Sequence, residues 1–275
     1  MTKRIVTASL LLGIAAAFAT SSHNSAAQMP AMRPATAPAA AAPDPKAMAV
    51  LDMLAKADYT ALEGDLNYTV LNRKLGDTEV RTGNVQYQKE SGDKGAMFRV
   101  NFRTIAQGKG PAAKEEVNYA FDGHWFCIAR ERTKTINCYE IVPEGQKPQP
   151  LKLGKSPFPV PFGQKSEDVV KLFDVTTRDL REGEPKGTVY LRLMPRADQA
   201  RGLSFTRLEM WIDPVRSLPV KIISLDQARN EITVLFNNIK ILNEPMKDST
   251  FRIGRRMGWN YTEQTLKDAQ EKEQK

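Results

Sequence analysis

Residues 187–225 read GTVYLRLMPRADQARGLSFTRLEMWIDPVRSLPVKIISL, and their period decides the fold class. Val189, Leu191 and Leu193 alternate with Tyr190 and Arg192; Leu208, Met210 and Ile212 alternate with Glu209 and Trp211. A period of two sends successive side chains to opposite faces of an extended chain. Asp213-Pro214 supplies turn chemistry before the next apolar run. Gly187–Met194, Phe205–Ile212 and Val220–Leu225 are therefore three predicted strands in succession, with no helix between them.

The same period extends outward in both directions. Further strands are predicted over Leu62–Asn72, Val80–Lys89, Ala96–Thr104, Glu115–Phe121, Trp125–Arg130, Thr135–Val142, Thr177–Leu180 and Glu231–Ile241. Parallel strands would need crossover helices, and one internal helix is predicted, from Ser166 to Phe173 with its apolar face at Val169, Leu172 and Phe173. About eleven strands in such a row imply an antiparallel meander. A second helix opens at Pro45 and runs through Met48, Leu51, Met53 and Leu54 to Ala57. The long interruption from Pro143 to Asp174 holds Ser156-Pro157-Phe158-Pro159-Val160-Pro161-Phe162-Gly163. A Pro-stiffened apolar loop of that length suits either a lid over a greasy cavity or a plug at one end of the sheet.

The chain has 275 residues, 41% hydrophobic and 26% charged, with 40 Lys+Arg against 32 Asp+Glu. This is globular composition; it excludes collagen, coiled coil and full disorder. Lys3 and Arg4 precede an apolar run from Ile5 to Ala19, and Ser25-Ala26-Ala27 offers a small-x-small cleavage site. These are the parts of a secretory signal peptide cut near Ala27. Removing residues 1–27 takes away two cations, leaving 38 − 32 = +6. That excess is not concentrated in a run or motif that would read nucleic acid. The expected organisation is a signal peptide over 1–27, an Ala/Pro-rich tether over 28–46, one β domain over 47–261 and a polar tail over 262–275.

Two cysteines fall in the Trp125–Arg130 and Thr135–Val142 strands. With a turn centred between Arg132 and Thr133, paired residue numbers sum to 265, which sets Cys127 opposite Cys138. Opposed Cβ atoms of an antiparallel pair come within disulfide reach, and an exported chain meets an oxidising compartment. A disulfide is expected. A thiol catalyst is not, because His124 points to the opposite face from Cys127. The sequence has no Gly-x-Ser-x-Gly, no phosphate-cradling Gly-Lys-Ser/Thr and no HExxH. Nothing in it supports an enzyme, a metal site or a cofactor.

Several short segments together resemble the periplasmic lipoprotein carrier (LolA) family. Thr82-Gly83-Asn84-Val85-Gln86-Tyr87 is similar to the family's second strand, and Phe121-Asp122-Gly123-His124-Trp125 to its Asp-Gly hairpin. Leu151 to Gly163 followed by the helix to Phe173 is similar to the family's lid. Met210-Trp211-Ile212-Asp213-Pro214 with Pro219-Val220-Lys221-Ile222 is similar to its Trp-x-Asp-Pro run, and Val234-Leu235-Phe236-Asn237-Asn238 with Phe251 to its closing strands. The resemblance implies a curved antiparallel half-barrel with an N-terminal helix, a helical lid and an apolar cavity for acyl chains. It implies a periplasmic carrier of acylated lipoproteins or lipids, passing cargo between an inner-membrane donor and an outer-membrane acceptor. Phe98, Val100, Phe102, Trp125, Phe158, Phe162, Leu172, Phe173 and Trp211 are the candidate lining residues. The expected protein is monomeric, non-enzymatic and independent of nucleic acid. A cell-envelope sensor or interaction module on the same fold, and a hydrolase with a dispersed site, stand as alternatives.

Overall fold

The computed structural model describes residues 44–57, 59–91, 95–143, 146, 165–200 and 202–268. The expected signal peptide and the expected lid loop 151–163 lie outside these residues, as does the expected tether up to residue 43; its Pro45 and Lys46 belong to the first helix.

Among the described residues twelve strands form one sheet. They are β1 (Ala61–Asn72), β2 (Asp77–Gln88), β3 (Met97–Gln107), β4 (Ala113–Phe121), β5 (Trp125–Arg130), β6 (Thr135–Glu140), β7 (Phe173–Thr176), β8 (Val189–Pro195), β9 (Phe205–Asp213), β10 (Leu218–Asp226), β11 (Asn230–Leu242) and β12 (Asn260–Gln264). Across the sheet they lie in the order β12, β6, β5, β4, β3, β2, β1, β11, β10, β9, β8, β7. Every neighbouring pair is antiparallel except β12, which runs parallel to β6. The sheet is two meanders, β1–β6 and β7–β11, joined where β11 pairs with β1. Its two ends do not meet, so it is open.

The sheet is also curled. Four inter-strand steps separate β3 from β10, about 19 Å in a flat sheet. Phe98 of β3 and Leu218 of β10 nevertheless share one apolar cluster. Two bulges serve the bend. One lies between Thr82/Gly83 of β2 and Phe102/Thr104 of β3. The other lies opposite Gly64, where Asn238 adopts a left-handed φ of 52° and donates to Asp65 at 2.8 Å. Asn tolerates that conformation, and the extra residue resets the alternation. Phe236 before the bulge and Ile239 after it consequently face the same concave core.

Two helices cover half of that concave face. Helix α1 (Pro45–Ala55) starts with Asp44 accepting from the Lys46 amide at 2.9 Å and Pro in the first turn. It buries Ala47, Val50, Leu51 and Leu54 against β8–β11. Helix α2 (Ser166–Leu172) is tied to α1 by a Ser166–Asp52 hydrogen bond and contributes Val169. Over β1–β5 the cluster is built instead from strand side chains, with Ala57 and Tyr59 at its margin.

Three expectations need correction. Thr177–Leu180 is not a strand; the edge strand is Phe173–Thr176, whose Phe173 and Val175 face the core and pair with β8. Phe173 therefore ends the helix rather than extending it. Thr262 to Gln264, expected in a polar tail, belong to β12. The C-terminal segment reaches it across the outer face: the 3-10 turn η1 (Asp248–Phe251) packs on β3, where Arg99 donates to the Thr250 carbonyl at 3.0 Å and to Asn118 at 3.1 Å.

Candidate binding cavity

Strand alternation selects the concave residues. Even positions of β1 (Leu62, Leu66, Tyr68) face odd positions of β2 (Val85, Tyr87) and even positions of β3 (Phe98, Val100). From the other meander come Leu218, Pro219 and Ile222 of β10, and Val234, Phe236 and Ile239 of β11. These side chains enclose a void of about 50 Å³ with wholly apolar walls. It sits at the join of the two meanders, beside the helix-covered half rather than beneath it.

The candidate lining residues divide into five groups. Phe98 and Val100 form part of the wall. Phe102 belongs to the same cluster and buttresses the wall, with its ring 5.5 Å from Tyr68 and 5.9 Å from Tyr119. Leu172 and Phe173 pack with the α1 half, where Phe173 stacks on Phe205 at 5.6 Å. Phe158 and Phe162 lie outside the described residues.

Trp125 and Trp211 are corrections, because both sit on the outer face. Trp211 has the opposite parity to Leu208, Met210 and Ile212. Its ring meets Tyr190 at 5.3 Å, and Lys221 lies 4.6 Å over it. The 177–188 turn folds onto this patch: Arg178 lies 3.6 Å over Tyr190 and donates to both carboxylate oxygens of Glu184. Those bonds, with the Arg181 amide, hold the Glu184 carboxyl at about 2, although burial pushes the other way. Tyr190 is pushed up to about 12 by burial and by its hydrogen bond to Glu209. Trp125 packs against the outer cluster of the Cys127–Cys138 disulfide, Ile136 and Ile253, as Trp259 and Tyr261 of the C-terminal segment do further along the hairpin. The predicted pairing of the cysteines is the observed one.

Sequence reasoning missed most of the wall. Leu62, Leu66, Tyr68, Val85, Tyr87 and Ile222 carry the signal in their parity, but only once the strand pairing says which parity faces inward. Burial of the phenol groups pushes the ionisation of Tyr68 and Tyr87 well above the usual tyrosine range, so both stay neutral even in alkaline solution. Among the described residues no group of His, Cys, Asp and Glu is arranged to hold a metal.

An open, curled antiparallel sheet with helices against half of its concave face is the architecture that the resemblance to the LolA family implied. No family model matches the chain, and no curated protein sequence matches it. Among solved structures it is similar to an uncharacterised conserved protein from Thermus thermophilus, at 13% identity and a TM-score of 0.47, over 80% of this chain and 99% of that one. It is similar to MucB at 17% identity and a TM-score of 0.42, over 77% of this chain and 64% of MucB. A LolA superfamily protein from Nitrosomonas europaea aligns at 11% identity and a TM-score of 0.31, over 75% of this chain and 97% of its own.

Proposed function

We propose that this protein is exported to the periplasm, its signal peptide removed near Ala27, and there binds lipidated cargo by holding acyl chains against its concave face. The observation that carries the reading is the wholly apolar void walled by β1, β2, β3, β10 and β11. Transfer of one CH2 from water contributes about 0.8 kcal/mol, so a sixteen-carbon chain gains roughly 12 kcal/mol gross when enclosed. Phe98, Val100 and Phe102 form and brace one wall, and Phe158 and Phe162 cover the bound chain.

At about 50 Å³ the resting void is far below the roughly 300–1,000 Å³ of a small-molecule site. Cargo enters by parting the walls along the half that α1 and α2 leave uncovered. The small resting volume also supports a second reading, a sensor or interaction module that reports lipid state to a protein partner.

The test is native mass spectrometry of protein purified from its own periplasm, with titration of a synthetic acylated peptide. Val85→Phe fills the void with apolar volume and should lower acyl-peptide affinity by about tenfold or more while the protein stays folded. Phe158→Asp with Phe162→Asp should abolish co-purifying lipid. A clean apo mass together with no uptake of the acylated peptide overturns the carrier reading. Uptake without transfer to acceptor vesicles selects the sensor.

A further inference from the structure

The strand order brings six turns to one end of the sheet: the β8–β9 turn, with Arg196 and Asp198, lies beside the 227–229 turn, and the other five carry the basic excess. Asn72 pairs with both Asp77 and Asn230, which puts the 73–76 turn beside the 227–229 turn. Glu79 pairs with Gln107, adding the 108–112 turn. Arg130 pairs with Thr135, and Thr135 with Asn260, so the 131–134 turn lies beside the 254–259 turn. Together these five turns carry eight Lys and Arg residues against one acid, Glu131. Glu115, Glu231 and Glu263 pair with members of the set from adjoining strands, and the cations still outnumber acids eight to four.

Two of the most exposed apolar side chains of the described residues stand in this basic field. Leu75 is 72% exposed and follows Arg73 and Lys74; Met257 is fully exposed and follows Arg255 and Arg256. Between the first two turns lies an open groove of about 410 Å³ lined by Arg73, Lys74, Gln227, Ala228 and Arg229. The opposite end of the sheet differs. Its 177–188 turn balances Arg178, Arg181 and Lys186 against Asp179, Glu182 and Glu184. Its exposed Val215 adjoins Arg216, which Asp213 neutralises at 2.6 Å.

We infer that the basic end docks on an anionic lipid surface, with phosphate headgroups held by the turn cations and Leu75 and Met257 inserted at the headgroup boundary. Clustered cations near an anionic surface add affinity residue by residue, and an apolar side chain between them adds contact that an acidic protein surface would not reward. No helix of the described residues is long and apolar enough to cross a membrane; the docking inferred here uses turn side chains at the surface. This inference stands independently of what the concave face binds.

The experiment is flotation of the purified full chain with phosphatidylcholine vesicles, with and without phosphatidylglycerol. Binding is expected only with phosphatidylglycerol, and it should fall as salt rises. Lys74→Glu and Arg229→Glu should each weaken it about fivefold or more. Leu75→Asp with Met257→Asp should weaken it about tenfold or more. Val215→Asp, equally exposed but at the neutral end, should leave it unchanged. Unaltered melting curves and near-ultraviolet circular dichroism establish that the variants fold. Equal binding to both vesicles, no binding to either, or salt-sensitive binding indifferent to Leu75→Asp with Met257→Asp overturns the inference. The last outcome would assign the patch to an acidic macromolecule.

Discussion

A Cβ built on Gly83 would lie 2.0 Å from the Asn101 carbonyl oxygen and 2.8 Å from the Phe102 Cα. Both obstacles are backbone and cannot swing aside. Gly83→Ala should therefore push β2 from β3 at the bulge, costing about 3–5 kcal/mol in a denaturation titration, unusually much for one methyl group. A second residue-scale prediction concerns Glu184. Its folded pKa of about 2 is below the ordinary value of 4.5, because Arg178 holds the carboxylate. The resulting stability is present above the unfolded pKa and is lost as pH falls from about 5 toward 2. Glu184→Gln should lower the melting temperature at pH 7 and flatten its fall across that acid window. An unchanged slope would mean that the pair is formed equally well without the fold.

At the scale of the element, the hairpin β5–β6 is stapled by Cys127–Cys138, and the C-terminal segment lies over the staple. Cys127→Ser with Cys138→Ser opens a short loop and should cost about 3 kcal/mol. Native mass should rise by two protons on reduction. Arg99 fastens the overlying segment through Thr250 and Asn118. Arg99→Met should release amide protection in 248–264 by about 1.5–3 kcal/mol, read by hydrogen exchange, with little change in β8–β10.

The elements were largely legible in the sequence because alternation is a local property. The pairing of the cysteines was legible too, since turn position fixes register. Trp211 shows what was not. Its parity opposes Leu208, Met210 and Ile212 on the same strand, yet a large aromatic looks like a core residue. The outer face can bury it only because the 177–188 turn folds down on Tyr190. Trp125 likewise packs on an outer cluster that includes Ile253, more than a hundred positions away. Such cover is tertiary and leaves no local period. The β12 strand escaped notice for a related reason: Asn-Tyr-Thr-Glu-Gln is polar and gains its place from pairing with β6 rather than from burial.

Across the whole molecule, the three tryptophans Trp125, Trp211 and Trp259 all lie on the outer side of the sheet, while the proposed cargo face carries Phe, Tyr and aliphatic groups. Saturating acylated peptide should raise the melting temperature, by about 2.7 kcal/mol of added stability at one hundred times Kd. It should leave the tryptophan emission maximum in place. A large shift in emission would move the cargo to the outer face and discard the concave void as its site.

The parallel β12 also has a protective consequence. Without it, β6 presents an unpaired row of N–H and C=O groups. A chain cut before Asn260 would keep that bare edge permanently, on a hairpin closed by the Cys127–Cys138 disulfide. Such an edge is a template for a second molecule's strand. Truncated product should therefore assemble into oligomers and fibres, so that β12 acts as the chain's own stopper against self-polymerisation.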